Sequence, residues 1–411
     1  MADRSADVLI VGGGVAGASC AEALRELGFD GSVVLAGREP HVPYERPPCS
    51  KELLRGESTP EDAQLHPADW YADNDIELLV RTSVMKLDVE ARTAALSTKE
   101  QLDFGKALLA TGANVRRLRV DGGDLEGIHY LRAIGNAATI RADAEQAERV
   151  VLIGGSYIAC EVAASLTQMG KHCTLVMLED APLAGHFGAA AGGFFGGVLG
   201  DHDIECVTAD PLVRFEGEGR VQRVVTESGK VLEADLVVLG TGAMPDVMLA
   251  RSSGLELGET GGVRCSQTLE TSAEGIWAAG DPCEYDSVVH GRRLRVEHFE
   301  VAAAQGRHAA AAMLGQAGPY TEIPYFWSDL ADWCTLEYVG PAERWEREVV
   351  RGSLDDGEFT IFYLDGGKLV AALTVGRSDD LEHAKRLITA GEPLGDRADA
   401  LADAGTDLAA F

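Results

Sequence analysis

At roughly 150 residues per domain, a chain of 411 residues holds two or three domains and is long enough to bury large cores. Its 36 basic and 66 acidic residues leave a formal charge of -30, which repels phosphate backbones and anionic bilayers, so neither nucleic acid nor a membrane is an expected partner. Hydrophobic content of 46% beside 25% charged residues excludes a disordered chain, and eight cysteines with no C-x-x-C pair or close histidine cluster supply neither a disulfide framework nor a metal site.

Met1 to Asp7 lacks the basic-then-apolar pattern of a secretory leader, and nowhere do about 18 apolar residues run uninterrupted, so a cytoplasmic protein is expected. The first element is the apolar run Val8–Val11, which leads at once into Gly12-Gly13-Gly14-Val15-Ala16-Gly17. A helical pattern then runs through Leu24 and Leu27 to a second apolar run, Val33–Leu35, making one βαβ unit over residues 8 to 39. Lys106–Ala113 reads as a buried strand ending in a tight turn. The opening order then recurs: Val150–Ile153 is a strand, Gly154-Gly155-Ser156-Tyr157-Ile158-Ala159 a glycine turn, and Val162, Leu166 and Met169 continue a helix toward a strand, Thr174–Leu178, that ends in Glu179.

Residues 188 to 200 are rich in glycine, each interior one costing about 1 kcal/mol relative to alanine, so a helix held by tertiary support is expected there, with a mobile segment as the alternative. Asp235–Ala243 repeats the texture of Lys106–Ala113, as duplicated modules would, and Gly275–Asp281 is a further strand with an acidic residue directly after its glycine. From about Ile323 the pattern changes to alternation, and Phe359–Leu364 and Lys368–Leu373 across Asp365-Gly366-Gly367 read as an antiparallel hairpin. The Ala- and Asp-rich tail after Asp396 is expected to fray.

A glycine turn between strand and helix carries chemistry because the helix N-terminus presents unpaired N–H groups and a partial positive charge, and the missing side chains let a pyrophosphate approach the backbone. Gly12, Gly14 and Gly17 meet that requirement, with Ala16 between them, and their pairing with Ala279-Gly280-Asp281 points to FAD. In the second motif Ser156 and Ala159 replace two glycines, and Gly154, Gly155, Tyr157, Ile158 and Gly242 are the expected nucleotide contacts. Glu179 stands where a carboxylate accepts hydrogen bonds from ribose hydroxyls and repels a 2′-phosphate, which favours NADH over NADPH.

Pro43-Tyr-Glu-Arg-Pro-Pro-Cys-Ser-Lys51, the paired glycine motifs, Ala110–Ala113, Tyr130-Leu-Arg132, Ala279–Asp281 and Phe326-Trp-Ser-Asp329 together resemble the FAD-dependent ferredoxin reductases of oxygenase systems, with rubredoxin reductases and apoptosis-inducing factor as wider relatives. The resemblance spans nearly the whole chain. It implies an α/β fold with two Rossmann-like dinucleotide-binding domains plus a C-terminal α+β domain: a discontinuous FAD domain over 1–113 and 247–322, an NAD domain over 114–246, and the C-terminal domain over 323–411. It further implies that Arg46, Lys51, Val84, Ala110 and Arg132 line the FAD site, that Asp281 bonds the ribityl chain, and that Glu297, His298 and Phe299 open the helix covering the flavin. Glu161 matches a carboxylate that pairs with Lys51 and flanks the nicotinamide, and these two residues are the expected catalytic pair. Trp327 is either a flavin-facing ring or core packing. Arg38 stands where the family usually places an acidic ribose ligand, so either Glu39 takes that role or Arg38 stacks on the adenine.

The implied reaction takes hydride from NADH to FAD and passes single electrons to a ferredoxin or rubredoxin-like iron–sulfur protein serving an oxygenase, in a monomer or homodimer without a bound metal. Two other readings stand beside it: an NADH oxidase or peroxidase working through Cys49, where the family has leucine, and an NADH-sensing flavoprotein like apoptosis-inducing factor. Because an acidic chain does not attract an acidic ferredoxin globally, docking is expected to use either a less acidic partner or a local basic patch drawn from Arg292, Arg293, Arg295, Arg344 and Arg347.

Overall fold

The structure is a computed structural model that describes residues 4–411; Met1–Asp3, part of the stretch read above for a leader, lie outside the described residues. The chain divides into two compact units, one of residues 1–45, 61–114 and 244–326, the other of residues 46–60, 115–243 and 327–411.

In the first unit, β1 (Arg4–Val11), α1 (Val15–Glu26) and β2 (Val33–Ala36) form the expected βαβ element, with β1 beginning four residues before the apolar run. Strands Ile76–Leu79, β2, β1 and Gln101–Leu109 lie side by side and parallel, Ile276–Ala278 adds to Gln101–Leu109, and an antiparallel ribbon of Thr93–Leu96 and Val84–Asp88 completes the sheet. Because both faces of β1 are covered, its apolar residues run without alternation: Val8, Leu9, Ile10 and Val11 are all buried. One cover is α1 itself, whose buried side is small along its first turns, at Ala16, Gly17, Ala18, Cys20 and Ala21, and ends in Leu24. The helix Phe299–Met313 packs on α1 so closely that a Cβ on Gly306 would lie 2.1 Å from the carbonyl oxygen of Ala16.

The second unit repeats the plan. Here β3 (Arg149–Ile153), α2 (Tyr157–Gln168) and β4 (His172–Val176) belong to a parallel sheet ordered Glu205–Val207, β4, β3, Leu236–Leu239, Ile128–Tyr130. A three-stranded antiparallel sheet, Leu212–Glu218, Arg220–Thr226 and Val231–Glu233, joins it. The strand expected to reach Leu178 ends at Val176; Leu178 is 72% exposed, and the chain leaves the sheet before Glu179. The C-terminal part of this unit is a five-stranded sheet that includes the expected hairpin, Glu358–Asp365 paired with Lys368–Val375, backed by the helix Asp379–Ala390.

The glycine-rich segment is helical, as α3 (Ala184–Asp201), with a break at Gly188 where φ is 83°. Its support is tertiary. Phe187, Ala191, Phe195 and Leu199 are buried at helical spacing, the Tyr363 hydroxyl donates to the Phe187 carbonyl at 2.9 Å, and the Phe194 ring lies 4.8 Å from that of Phe359. The tail departs from expectation. Rather than fraying, Gly395–Ala402 and Leu408–Ala410 form 3₁₀ turns with Leu401 and Leu408 buried. Arg351 donates to the carbonyls of Asp403, Ala404 and Thr406, and Arg386 to those of Leu408 and Phe411, so guanidinium groups distant in sequence satisfy backbone that composition marks as loose. Among the described residues no helix is long and apolar enough to cross a membrane.

Within α3 the glycines are not equivalent. A Cβ on Gly193 or Gly197 meets nothing within 4 Å, whereas one on Gly192 would lie 2.7 Å from the Cβ of Ala184. Gly193→Ala and Gly197→Ala should each stabilise the protein by about 0.5–1 kcal/mol, and Gly192→Ala should destabilise it, as read from urea unfolding midpoints.

Candidate functional site

The first unit builds an anion cradle from backbone. Gly12 has φ of 125°, and a Cβ there would sit 2.0 Å from the Ala110 carbonyl oxygen; one on Gly17 would sit 2.0 Å from that of Gly12. These contacts set the turn directly onto the N-terminus of α1. Gly14 is the N-cap residue, no side chain caps the helix, and a Cβ on Gly14 would meet nothing within 4 Å. Uncapped N–H groups opening on free space suit a pyrophosphate, so these residues fit the dinucleotide that the motif implies.

Around this turn the unit brings together Ala16 and Ala110, both buried, and Gly280, which has positive φ and whose N–H donates to Gln305 Oε1 at 2.8 Å just before Asp281. His298 is the N-cap of the helix Phe299–Met313 in extended backbone without a side-chain capping bond, and its ring lies 4.3 Å from that of Phe326. Glu297 is exposed and pairs with Arg295, and Val84 is half-buried at the start of its strand. Arg38 and Glu39 prove to be engaged with protein groups. Arg38 donates to Asp246 Oδ2 and Asn114 Oδ1, both at 3.0 Å, and Glu39 accepts from the Tyr44 hydroxyl at 2.6 Å. The Arg38 guanidinium is thus held at two nitrogens while its side chain stays 51% exposed.

The second unit carries a matching cradle. Gly154 has φ of 121°, and a Cβ there would lie 2.4 Å from the Gly240 carbonyl oxygen. Ser156 takes the N-cap position of α2, but its hydroxyl turns away to donate to the Gly240 carbonyl at 3.1 Å, leaving this helix N-terminus uncapped too. Glu179 lies over the turn, since a Cβ on Gly155 would come within 3.1 Å of its Oε2. Tyr157 stacks on His186 with centroids 4.9 Å apart, Ile158 is part-exposed at the helix start, and Gly242 is exposed in the turn after Leu236–Leu239. Burial holds the His186 pKa below its usual value against the opposing pull of Glu179, so at neutral pH this ring brings no cation to the carboxylate.

Two further groups meet in the second unit. Arg46 Nη1 donates to the Arg132 carbonyl at 2.6 Å, fixing the segment that leads into the 3₁₀ turn Pro47–Ser50. Directly after that turn, Lys51 reaches Glu161 on α2, Nζ to Oε1 at 3.0 Å, with both residues buried. Asp329 Oδ2 stands 4.0 Å from the same ammonium, two residues beyond the half-buried Trp327. A buried ion pair is stable only when its remaining lone pairs are satisfied, and here serines do this: Ser50 Oγ donates to Glu161 Oε2 at 2.5 Å and Ser328 Oγ to Oε1 at 2.6 Å. Sequence reasoning quoted both serines inside longer motifs without giving either a role, and their small size and neutral charge gave no signal of one.

Two expectations fare differently. Cys49 is 3% exposed, and none of the eight cysteines forms a disulfide. The arginines proposed as a basic patch are largely neutralised: Arg293 pairs with Asp286 at 3.0 Å, Arg295 with Glu297, Arg344 with Asp365 at 3.9 Å and Arg347 with Asp399. Arg293, Arg295 and Arg347 thus each carry a carboxylate partner, whereas the Arg344 side chain stays 90% exposed.

Known proteins resemble this chain along nearly its whole length. Residues 6–306 match the family model described as pyridine nucleotide-disulphide oxidoreductase, and residues 325–411 match one described as reductase C-terminal. The chain is 33% identical to rhodocoxin reductase of Rhodococcus erythropolis over 94% of its own length and 90% of that protein's. It is 32% identical to the benzene 1,2-dioxygenase system ferredoxin–NAD(+) reductase subunit of Pseudomonas putida, covering 93% of this chain and 92% of the relative. Among solved structures, the covalent putidaredoxin reductase–putidaredoxin complex aligns with a TM-score of 0.91 at 32% identity, covering 100% of this chain and 98% of that one.

The open space over Gly14 makes the cradle testable. Gly14→Leu should leave the circular dichroism spectrum nearly unchanged while the flavin content of the purified protein drops several-fold, because the added side chain occupies room that no protein atom uses. Full flavin content in that variant would count against a cradle at α1.

Proposed function

The chain belongs to the pyridine nucleotide-disulphide oxidoreductase family, and from that premise we propose that it carries electrons from NADH through FAD to a ferredoxin-type iron–sulfur protein that feeds an oxygenase. It is a flavoprotein oxidoreductase that uses FAD and NAD(H). The observation that carries the fuller reading is the duplication: two glycine turns, each pressed onto a carbonyl where no Cβ fits, each opening an uncapped helix N-terminus. When bound, the flavin accepts hydride from NADH and releases electrons singly; the chain's share is binding, orientation and electrostatics.

In this reading Gly12, Gly14, Gly17 and the Gly280-Asp281 turn bind FAD in the first unit, and Gly154, Gly155 and Glu179 bind NADH in the second. Lys51 and Glu161 serve the hydride step as a buried charge pair of fixed geometry. The peroxidase reading through Cys49 is not retained, since several relatives are ferredoxin reductase components of oxygenase systems and the thiol is buried.

Nucleotide preference follows from charge. Glu179 faces the turn, Asp180 follows it, and His186 is kept neutral by burial, so the charge gathered at this turn opposes a 2′-phosphate. NADH should reduce the flavin at least tenfold more efficiently than NADPH, and Glu179→Ala should narrow that ratio mainly by weakening NADH; stopped-flow reduction with both nucleotides decides it, and equal efficiencies in the unmodified protein would remove the ribose assignment.

For the charge pair, Lys51→Met should slow flavin reduction by about tenfold or more, equivalent to at least about 1.4 kcal/mol of barrier, whereas Lys230→Met, at a surface lysine paired with Glu205, should match the unmodified protein. Identical single-turnover rates for the two variants would exclude Lys51 from the hydride step.

A further inference from the structure

The helix Phe299–Met313 turns a face of small and apolar residues toward the interior of the first unit, and Gln305 is the one polar side chain among its buried residues, at 0% exposure. Its Oε1 accepts from the Gly280 N–H at 2.8 Å. That bond fixes which way the amide is turned, because only the oxygen of a carboxamide accepts, and it leaves Nε2 on the other arm with hydrogens to donate. Among the described residues Nε2 has no hydrogen-bond partner. A buried donor without an acceptor is destabilising, so this nitrogen calls for an acceptor that the chain itself does not bring.

Close contacts set the place of this amide. A Cβ on Gly280 would lie 3.4 Å from that of Ala16 and 3.3 Å from that of Ala302, one helical turn before Gln305. On the other side a Cβ on Gly306, the next residue, would lie 2.1 Å from the Ala16 carbonyl oxygen. Ala16 belongs to the first turn of α1, two residues after the N-cap Gly14. Gln305 therefore stands between the start of α1 and the Gly280-Asp281 turn, the two backbone elements of the cradle. Because the uncapped N-terminus of α1 already favours an anion there, a neutral donor beside it favours the same one.

We propose that Gln305 is a cofactor-binding residue whose Nε2 donates to an oxygen of the FAD pyrophosphate held at the N-terminus of α1, while its Oε1 keeps the Gly280-Asp281 turn against the same group. The inference rests on the reading of the first unit as the FAD domain, and it adds a ligand from inside the helix Phe299–Met313 rather than from its start. No proton is transferred; the amide stays neutral and its two ends serve two partners.

The test uses the full chain stripped of flavin and then given FAD, ADP or riboflavin, since ADP carries the pyrophosphate without the flavin and riboflavin carries no phosphate. In unmodified protein labelled with ¹⁵N-glutamine, the side-chain amide signal that Gln305→Met removes should move downfield in its proton dimension with FAD and with ADP, and stay in place with riboflavin. This comparison does not depend on how well the variant folds, because Gln305→Glu identifies the signal equally. Gln305→Met should also raise the Kd for FAD about tenfold or more, as loss of a hydrogen bond to a charged group predicts, and should shift a ³¹P resonance of the bound FAD. A Gln305 that only supports the Gly280 turn gives a different result: an amide signal indifferent to ADP and ³¹P resonances that do not move. Either of those overturns the proposal and leaves the cradle in place. Stripped, unmodified protein that takes up neither FAD nor ADP overturns the FAD reading of the first unit, and the proposal with it.

Discussion

Both nucleotide cradles depend on a contact between backbones that no side chain survives. At Gly12 and at Gly154 the main chain turns through positive φ with its Cα pressed onto the carbonyl of a neighbouring strand end, Ala110 in one unit and Gly240 in the other. That contact sets where the following helix begins, and with it the direction in which its unpaired N–H groups point. The small residues along α1, the glycine at 306 that lets the helix Phe299–Met313 close on it, and the serine at the start of α2 that turns its hydroxyl away from capping all serve the same geometry. A conventional N-cap at either site would stabilise the helix and fill the cradle with the protein's own oxygen.

Much of this plan was legible in the sequence, because strand, glycine turn and helix form a local pattern whose physics is complete within about thirty residues. The hairpin near the C-terminus was legible for the same reason. What escaped was non-local. Nothing near Ala184–Asp201 says that so many glycines will stay helical; Tyr363, Phe359 and Trp345 say it from far down the chain. The tail after Asp396 composes like a loose end, and its order comes from Arg351 and Arg386 reaching its carbonyls. Within the site, Lys51 and Glu161 came from a resemblance rather than from spacing, and the serines that complete the pair carry neither charge nor periodicity by which to find them. Arg38 shows the opposite limit: its oddity was visible, but its partners Asn114 and Asp246 are brought to it only by the fold.

Net charge sets a background against which every local cation must be judged. With 66 acidic residues against 36 basic ones, an arginine picked from the sequence has a carboxylate near it more often than not, and the candidates for a docking patch met that outcome. Exposed pairs of this kind contribute little to stability, and their effect is chiefly to remove local field. The buried pair at Lys51 is different in kind, because it keeps its charge where solvent cannot screen it.

The arrangement of α3 has a consequence for the order in which the chain matures. During synthesis the helix leaves the ribosome long before Trp345, Glu348, Phe359 and Tyr363 exist, yet those residues hold its break at Gly188 and its buried face. A segment with this many glycines nucleates poorly on its own, so the stretch directly after Glu179 remains without fixed structure until the C-terminal sheet arrives. The parallel strands of the second unit can pair early, but a nascent chain stopped short of residue 363 carries an incomplete wall beside its second glycine turn.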